Sequence, residues 1–103
     1  MDLRESGQVA PFHFCIGIGE YTGMSAASYK DFMTSIKKVE AKSLNFHIER
    51  GDFQKWILDI FKDEKLASEI EQIQKQNLQG RALRTQLYRI VSKRYKELNS
   101  KKR

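Results

Sequence analysis

A chain of 103 residues, 40% hydrophobic and 31% charged, is sized for one domain with one modest core, and its aromatic content favours a packed core over disorder. Cys15 is the only cysteine, which excludes an intrachain disulfide and suits a reducing compartment; no apolar run nears the ~20 residues of a membrane span, the opening Met1–Glu5 is polar rather than leader-like, and the expected localisation is cytoplasmic. The net charge of +6 is unevenly spread, because residues 75–103 carry a net of +9 and residues 1–74 a net of −3, so any attraction for nucleic acid, an anionic membrane surface or an acidic protein belongs to the last quarter.

Residues 1–10 read as a flexible lead-in. From Phe12 to Ile18 the hydrophobic residues alternate. Phe12, Phe14, Ile16 and Ile18 would face one side of an extended segment, and His13, Cys15 and Gly17 the other. This is the one strand signal in the chain. A single strand cannot form a sheet alone, so the expectation is an extended N-terminal arm that lies across helices or pairs with another chain. Gly17, Gly19 and Gly23 then make a turn-rich connection. Ser25 is expected to cap a first helix over about 25–40, where Tyr29, Phe32, Met33, Ile36 and Val39 fall within an arc of about 120°.

Ser43 is expected to cap a second helix, about 44–50, which Gly51 stops. Asp52 would cap a third, about 53–62, with Phe53, Trp56, Ile57, Ile60 and Phe61 on one face. Asp63 would cap a fourth, about 64–78, carrying Leu66, Ala67, Ile70, Ile73 and Leu78. Gly80 marks the break before a fifth, about 81–98, striped by Leu83, Leu87, Ile90, Val91 and Leu98. The expected fold class is mainly all-α: a compact bundle of about five short-to-medium helices with an extended N-terminal arm. It is expected to form a single helical domain over 11–98, followed by a frayed basic tail over 99–103. Arg94 falls inside the apolar arc of the fifth helix, where a lone charge is costly. It is predicted to pair with Asp52 or Asp63, or to snorkel at the bundle end.

Three spaced motifs stand out: Ser43-Leu44-x-x-His47, then Asp52-Phe53-x-x-Trp56, then Asp63-x-x-Leu66-Ala67, with Arg84, Leu87 and Arg94 following. Together with Pro11-Phe12-x-Phe14 and the Gly/Ala stretch before the first helix, they resemble a family of small helical domains of unknown function, mostly archaeal and bacterial. The resemblance covers roughly residues 11–98. It implies one autonomous helical unit, sometimes joined to other domains, and no established activity.

Ser43, His47, Arg50, Asp52 and Trp56 form the first candidate site. Steps of four and three place Ser43, His47 and Arg50 on one helical face, and Asp52 could orient His47 or pair with Arg50. A polar cluster beside a tryptophan reads either as a ligand site for a small anion or as two caps, an ion pair and a core histidine bonded to backbone. No second histidine or reactive cysteine stands nearby in sequence, so no catalytic residue is assigned. The glycines at 17, 19 and 23 are one residue too widely spaced for the dinucleotide fingerprint and lack its βαβ context, which leaves a flexible connection. His13, Cys15 and His47 are one ligand short of a structural zinc site, so neither a metal nor a cofactor is expected.

The last candidate is a basic stripe, Arg81, Arg89, Lys93 and Lys96, opposite the apolar arc of the fifth helix. It reads as a contact surface for nucleic acid or an acidic partner, extended by Lys101, Lys102 and Arg103, or as a solvated helix face. Tyr88 and Tyr95 would offer stacking surfaces beside Arg84. The functional expectation is a non-enzymatic protein-interaction or regulatory domain, acting through a protein partner or self-association. The first alternative is sequence-independent nucleic-acid binding through the basic C-terminal helix. The second is a small-ligand sensor or enzyme built around His47, although a small-molecule ligand is not the expected partner.

Overall fold

The computed structural model describes residues 10–100. Phe12–Cys15 forms strand β1 and Tyr21–Ala26 strand β2, paired antiparallel with Phe12 opposite Ala26, His13 opposite Ser25, Phe14 opposite Met24 and Cys15 opposite Tyr21. The expected unpaired arm is thus the first half of a hairpin. Its partner strand, Tyr-Thr-Gly-Met-Ser-Ala, carries too little apolar alternation to announce itself. Gly17 and Gly19 lie in the turn, which is closed by the Ile16 N–H donating to the Glu20 carbonyl at 3.0 Å and the Glu20 N–H donating to the Gly17 carbonyl at 3.1 Å. Between the Phe14–Met24 and Cys15–Tyr21 pairs, Thr22 and Gly23 bulge out of register, with Gly23 at φ +90°. The Thr22 hydroxyl repairs the ladder, donating to the Phe14 carbonyl at 2.7 Å and accepting the Met24 N–H at 3.2 Å. Because β1 ends at Cys15, Ile18 departs from the expected alternation and stands 75% exposed near the tip.

Helix α1 spans Tyr29–Lys38 and is capped by Ser28, whose hydroxyl accepts the Asp31 N–H at 3.1 Å. The expected cap, Ser25, belongs instead to β2. Helix α2 spans Ala41–Arg50, beginning before Ser43, so Ser43 is an interior, fully buried residue and not a cap. Gly51 closes α2 in the left-handed conformation at φ +75°, as its placement predicts. Helix α3, Asp52–Trp56, passes directly into a π-helical turn, Ile57–Phe61. Residues five apart share a face in a π turn, and the Trp56 and Phe61 rings meet edge-on at 5.0 Å. Asp63 caps helix α4, Glu64–Lys75, by accepting the Leu66 N–H at 3.2 Å. This helix stops short of the expected residue 78, where Asn77 takes φ +57°. Helix α5 runs from Gly80 to Ser100, so Asn99 and Ser100 are helical where a frayed tail was expected. Residues 1–9 of the expected lead-in and Lys101, Lys102 and Arg103 of the tail lie outside the described residues.

The fold is mainly helical, with α5 packed against α1, α2 and α4, and with the hairpin laid on α1 and α2. Phe12, Phe14, Phe32, Phe53 and Trp56 form an aromatic cluster at the hairpin end of the core, with ring centroids 5.0–6.3 Å apart for each touching pair. The Trp56 indole N–H donates to the Ala10 carbonyl at 3.0 Å. Arg94 pairs with Asp63 at 2.9 Å, one of its two predicted partners. Arg84, expected beside Tyr88 and Tyr95, caps the end of α1, donating to the carbonyls of Lys37 and Val39. Among the described residues no helix is long and apolar enough to cross a membrane.

Candidate functional site

His47 sits near the end of α2 and is 4% exposed. Its Nε2 accepts the Cys15 backbone N–H at 2.9 Å, so that nitrogen carries no proton. Its Nδ1–H therefore donates to Asp52 Oδ2 at 2.7 Å, and Arg50 Nε donates to the same oxygen at 3.0 Å. The rings of Phe12, Phe46 and Phe53 surround the imidazole at 4.7–5.5 Å. Burial in this setting pushes the His47 pKa down, and the Arg50 charge pushes the same way. The hydrogen bond and charge of Asp52 only partly offset that fall. The result is a neutral imidazole with both nitrogens engaged. It latches the end of α2 to β1 on one side and to the start of α3 on the other.

Of the first candidate set, His47, Arg50 and Asp52 come together. Ser43 Oγ is buried with no hydrogen-bond partner among the described residues, and Trp56 is engaged with Ala10. A fully bonded neutral histidine has no lone pair left for a base or a metal ligand. Of the three residues weighed as metal ligands, Cys15 meets His47 only through its backbone N–H. His13 lies on the outer face of the hairpin, where its Nδ1 meets Ser25 Oγ at 2.8 Å, and Ser25 also bonds the Tyr21 hydroxyl. Among the described residues no group of three or more His, Cys, Asp or Glu is placed to hold a metal ion. The His13–Ser25–Tyr21 contact escapes the sequence, because it exists only once β2 is known to pair with β1.

The basic residues behave differently. A concavity of about 420 Å³ between α1 and α5 is lined by Lys30, Met33, Thr34, Lys37 and Lys38 from α1 and by Tyr88 and Tyr95 from α5. Tyr88 also borders a second concavity of about 490 Å³, lined by Thr85, Arg89, Ser92, Lys93 and Lys96. Six cations from two helices thus flank two half-buried tyrosines, and among the described residues no acid lines either concavity. Lys37 Nζ lies 5.4 Å from the centroid of the Tyr88 ring, a cation–π contact worth about 0.5–1 kcal/mol at an exposed site. Three of the four stripe residues, Arg89, Lys93 and Lys96, line this surface. Arg81 is exposed in the first turn of α5 and lines neither concavity. The three α1 lysines are the residues that sequence reasoning missed. Their only signal was a position off the apolar arc of α1, and nothing local reveals that α1 lies beside α5.

Comparison with family models, with curated proteins and with solved structures finds no match for this chain.

Proposed function

We propose that this chain is a non-enzymatic binding domain whose partner is a nucleic-acid backbone, held at the basic surface that α1 and α5 form together. The observation that carries the reading is the convergence of Lys30, Lys37, Lys38, Arg89, Lys93 and Lys96 on adjoining concavities that no acid lines among the described residues. A solvated helix face has no reason to recruit cations from a neighbouring helix around an aromatic floor. Phosphate neutralisation by several side chains is additive and independent of sequence. The reading favours the first alternative drawn from the sequence over the protein-interaction expectation. That expectation rested partly on an unpaired arm, and the edge of β1 nearest β2 is now occupied. A cytoplasmic setting suits this role.

We also propose that the family resemblance is one of architecture. His47, Phe53, Trp56, Asp63, Leu66 and Ala67 of its motifs are all buried, which supports reading the motifs as a fold signature and not as an active site.

The test is titration of mixed-sequence nucleic acid with the protein across a salt series. The variant Lys37→Glu/Arg89→Glu/Lys93→Glu/Lys96→Glu and an acidic peptide competitor complete the set. Engagement of about five or six phosphates gives a log–log salt slope of roughly −4.5 to −5.5 on a duplex and roughly −3.5 to −4 on a single strand. Binding should vanish in the variant. Absence of binding at low salt overturns the reading, and binding of the acidic peptide alone would assign the surface to an acidic protein.

A further inference from the structure

Resting on the nucleic-acid reading, we infer that the surface takes a single strand in preference to a duplex, with Tyr88 and Tyr95 as stacking platforms for its bases. The layout separates the two kinds of contact a single strand offers. Lys30, Lys37 and Lys38 stand on the α1 bank, Arg89, Lys93 and Lys96 on the far side of α5, and the tyrosines lie between. Phosphates on the banks and base faces on the floor use every part of it. A duplex uses only the banks, because each base face is already covered by its neighbours and only edges reach the grooves.

The spacing of the rings supports the same occupant. Tyr88 and Tyr95 are seven residues apart on α5, which sets them about 10 Å apart along the helix axis. Successive nucleotides of a duplex strand advance about 3.4 Å. Two platforms so far apart match bases that have been pulled out of a stack. Both tyrosines are packed against the core on one side and half-buried, so they are held in place before a strand arrives. Lys37 Nζ lies over the Tyr88 ring, 5.4 Å from its centroid, so a base stacking there takes the place of the ammonium, which its flexible stem leaves free to move aside toward the strand's backbone.

The experiment compares a short mixed-sequence single strand with the duplex of the same sequence, using the full chain and the variants Tyr88→Phe, Tyr95→Phe, Tyr88→Leu and Tyr95→Leu. The single strand should bind more tightly. Phenylalanine should keep that affinity, and each leucine should weaken it about tenfold, well beyond any loss in duplex binding. Equal affinity for strand and duplex, or leucine variants that bind the strand like the parent, overturns the inference and leaves the phosphate reading standing. Loss of binding to both forms by the parent chain overturns that reading as well. Should a leucine variant fail to fold, photocrosslinking of the parent chain to a bromouracil-substituted single strand decides the point. Adducts on Tyr88 or Tyr95 support stacking, and adducts confined to other residues overturn it.

Discussion

Asp63 and Arg94, thirty-one positions apart in the chain, meet at 2.9 Å with the Asp63 side chain only 1% exposed. The same carboxylate accepts the Tyr29 hydroxyl at 2.7 Å and the Leu66 N–H at 3.2 Å, so one side chain joins α1, α4 and α5. Arg94 continues outward to Glu97 at 3.3 Å, which accepts Lys65 Nζ at 3.1 Å. Burial of Asp63 resists its ionisation. The hydrogen bonds from Arg94, Tyr29 and Leu66, with the Arg94 charge, outweigh that effect and hold its pKa below the ordinary carboxylate value. Asp63 in turn raises the Arg94 pKa.

Removing Arg94 leaves the Asp63 charge buried with no cation beside it, and removing Asp63 leaves Arg94 with Glu97 alone while also taking the acceptor from Tyr29 and the cap from α4. Asp63→Ala is expected to cost about 3–5 kcal/mol, and Arg94→Met a similar amount. The double variant should be less destabilised than the two losses added together, because the stranded charge is gone. Urea denaturation followed by the fluorescence of Trp56, the only tryptophan, measures all three. Losses that simply add would show that the two side chains act independently.

His47 sets a pH dependence whose sign follows from its lowered pKa. The unfolded chain takes up the proton at the ordinary value near 6.5, and the folded chain only below it. Stability is therefore full above about pH 7 and is lost as pH falls from 6.5 toward the folded value. Protonation also places a hydrogen on Nε2, against the Cys15 N–H. Asp63 adds a second loss in stronger acid, beginning near its ordinary value of 3.8 and continuing down to its lowered folded value. Urea midpoints measured from pH 8 to pH 3 should show both steps. His47→Leu should abolish the first and keep the second. A first step that survives His47→Leu would assign it elsewhere.

Two glycines are expected to resist substitution for backbone reasons alone. Gly23 at φ +90° and Gly51 at φ +75° have space for a Cβ: among the described residues nothing lies within 4 Å of the first and only Gln74 Nε2, at 4.0 Å, near the second. Alanine at either should still cost about 1–2 kcal/mol, because an L-residue is strained in this region. Gly17 is the contrast. Its added Cβ would first meet the flexible Glu20 carboxyl, at 3.2 Å, and Gly17→Ala should lie within about 0.5 kcal/mol of the parent. Thermal midpoints of the three alanine variants test the ordering.

Charge reversal separates the two helices' roles in binding. Lys37→Glu on α1 should weaken nucleic-acid binding about fivefold or more at low salt and flatten the salt slope, as loss of a phosphate contact does. Arg81→Glu, although on the more basic helix, should change it little, because Arg81 lines neither concavity. The reverse order of effects would move the surface to the start of α5.

Local signals carried much of this structure. The Asp63 cap, the Gly51 stop and the apolar stripes of α1, α4 and α5 act within about four residues, so a linear reading finds them. The exceptions are instructive. Ser28 caps α1 where Ser25 was expected, because both serines precede the helix and only the hairpin register assigns Ser25 to β2. The strand β2 itself was silent, since Gly23, Thr22 and Ser25 interrupt any period of two. Its order comes from pairing with β1 and from Met24 and Ala26 against the core.

The candidate sites divide the same way. Composition and helical spacing determined that a basic stripe lies on the last helix, that His47 and Arg50 share a face, and that Arg94 needs an acid. Tertiary packing alone decided that the acid is Asp63 and not Asp52, that the Cys15 backbone takes His47 Nε2 across thirty-two positions, and that Lys30, Lys37 and Lys38 join Arg89, Lys93 and Lys96 around Tyr88. Periodicity fixes which side of a helix is apolar, but the neighbour on that side depends on how the helices pack in three dimensions. Contacts such as Arg84 to the end of α1, forty-five positions away, exist only after that packing is set.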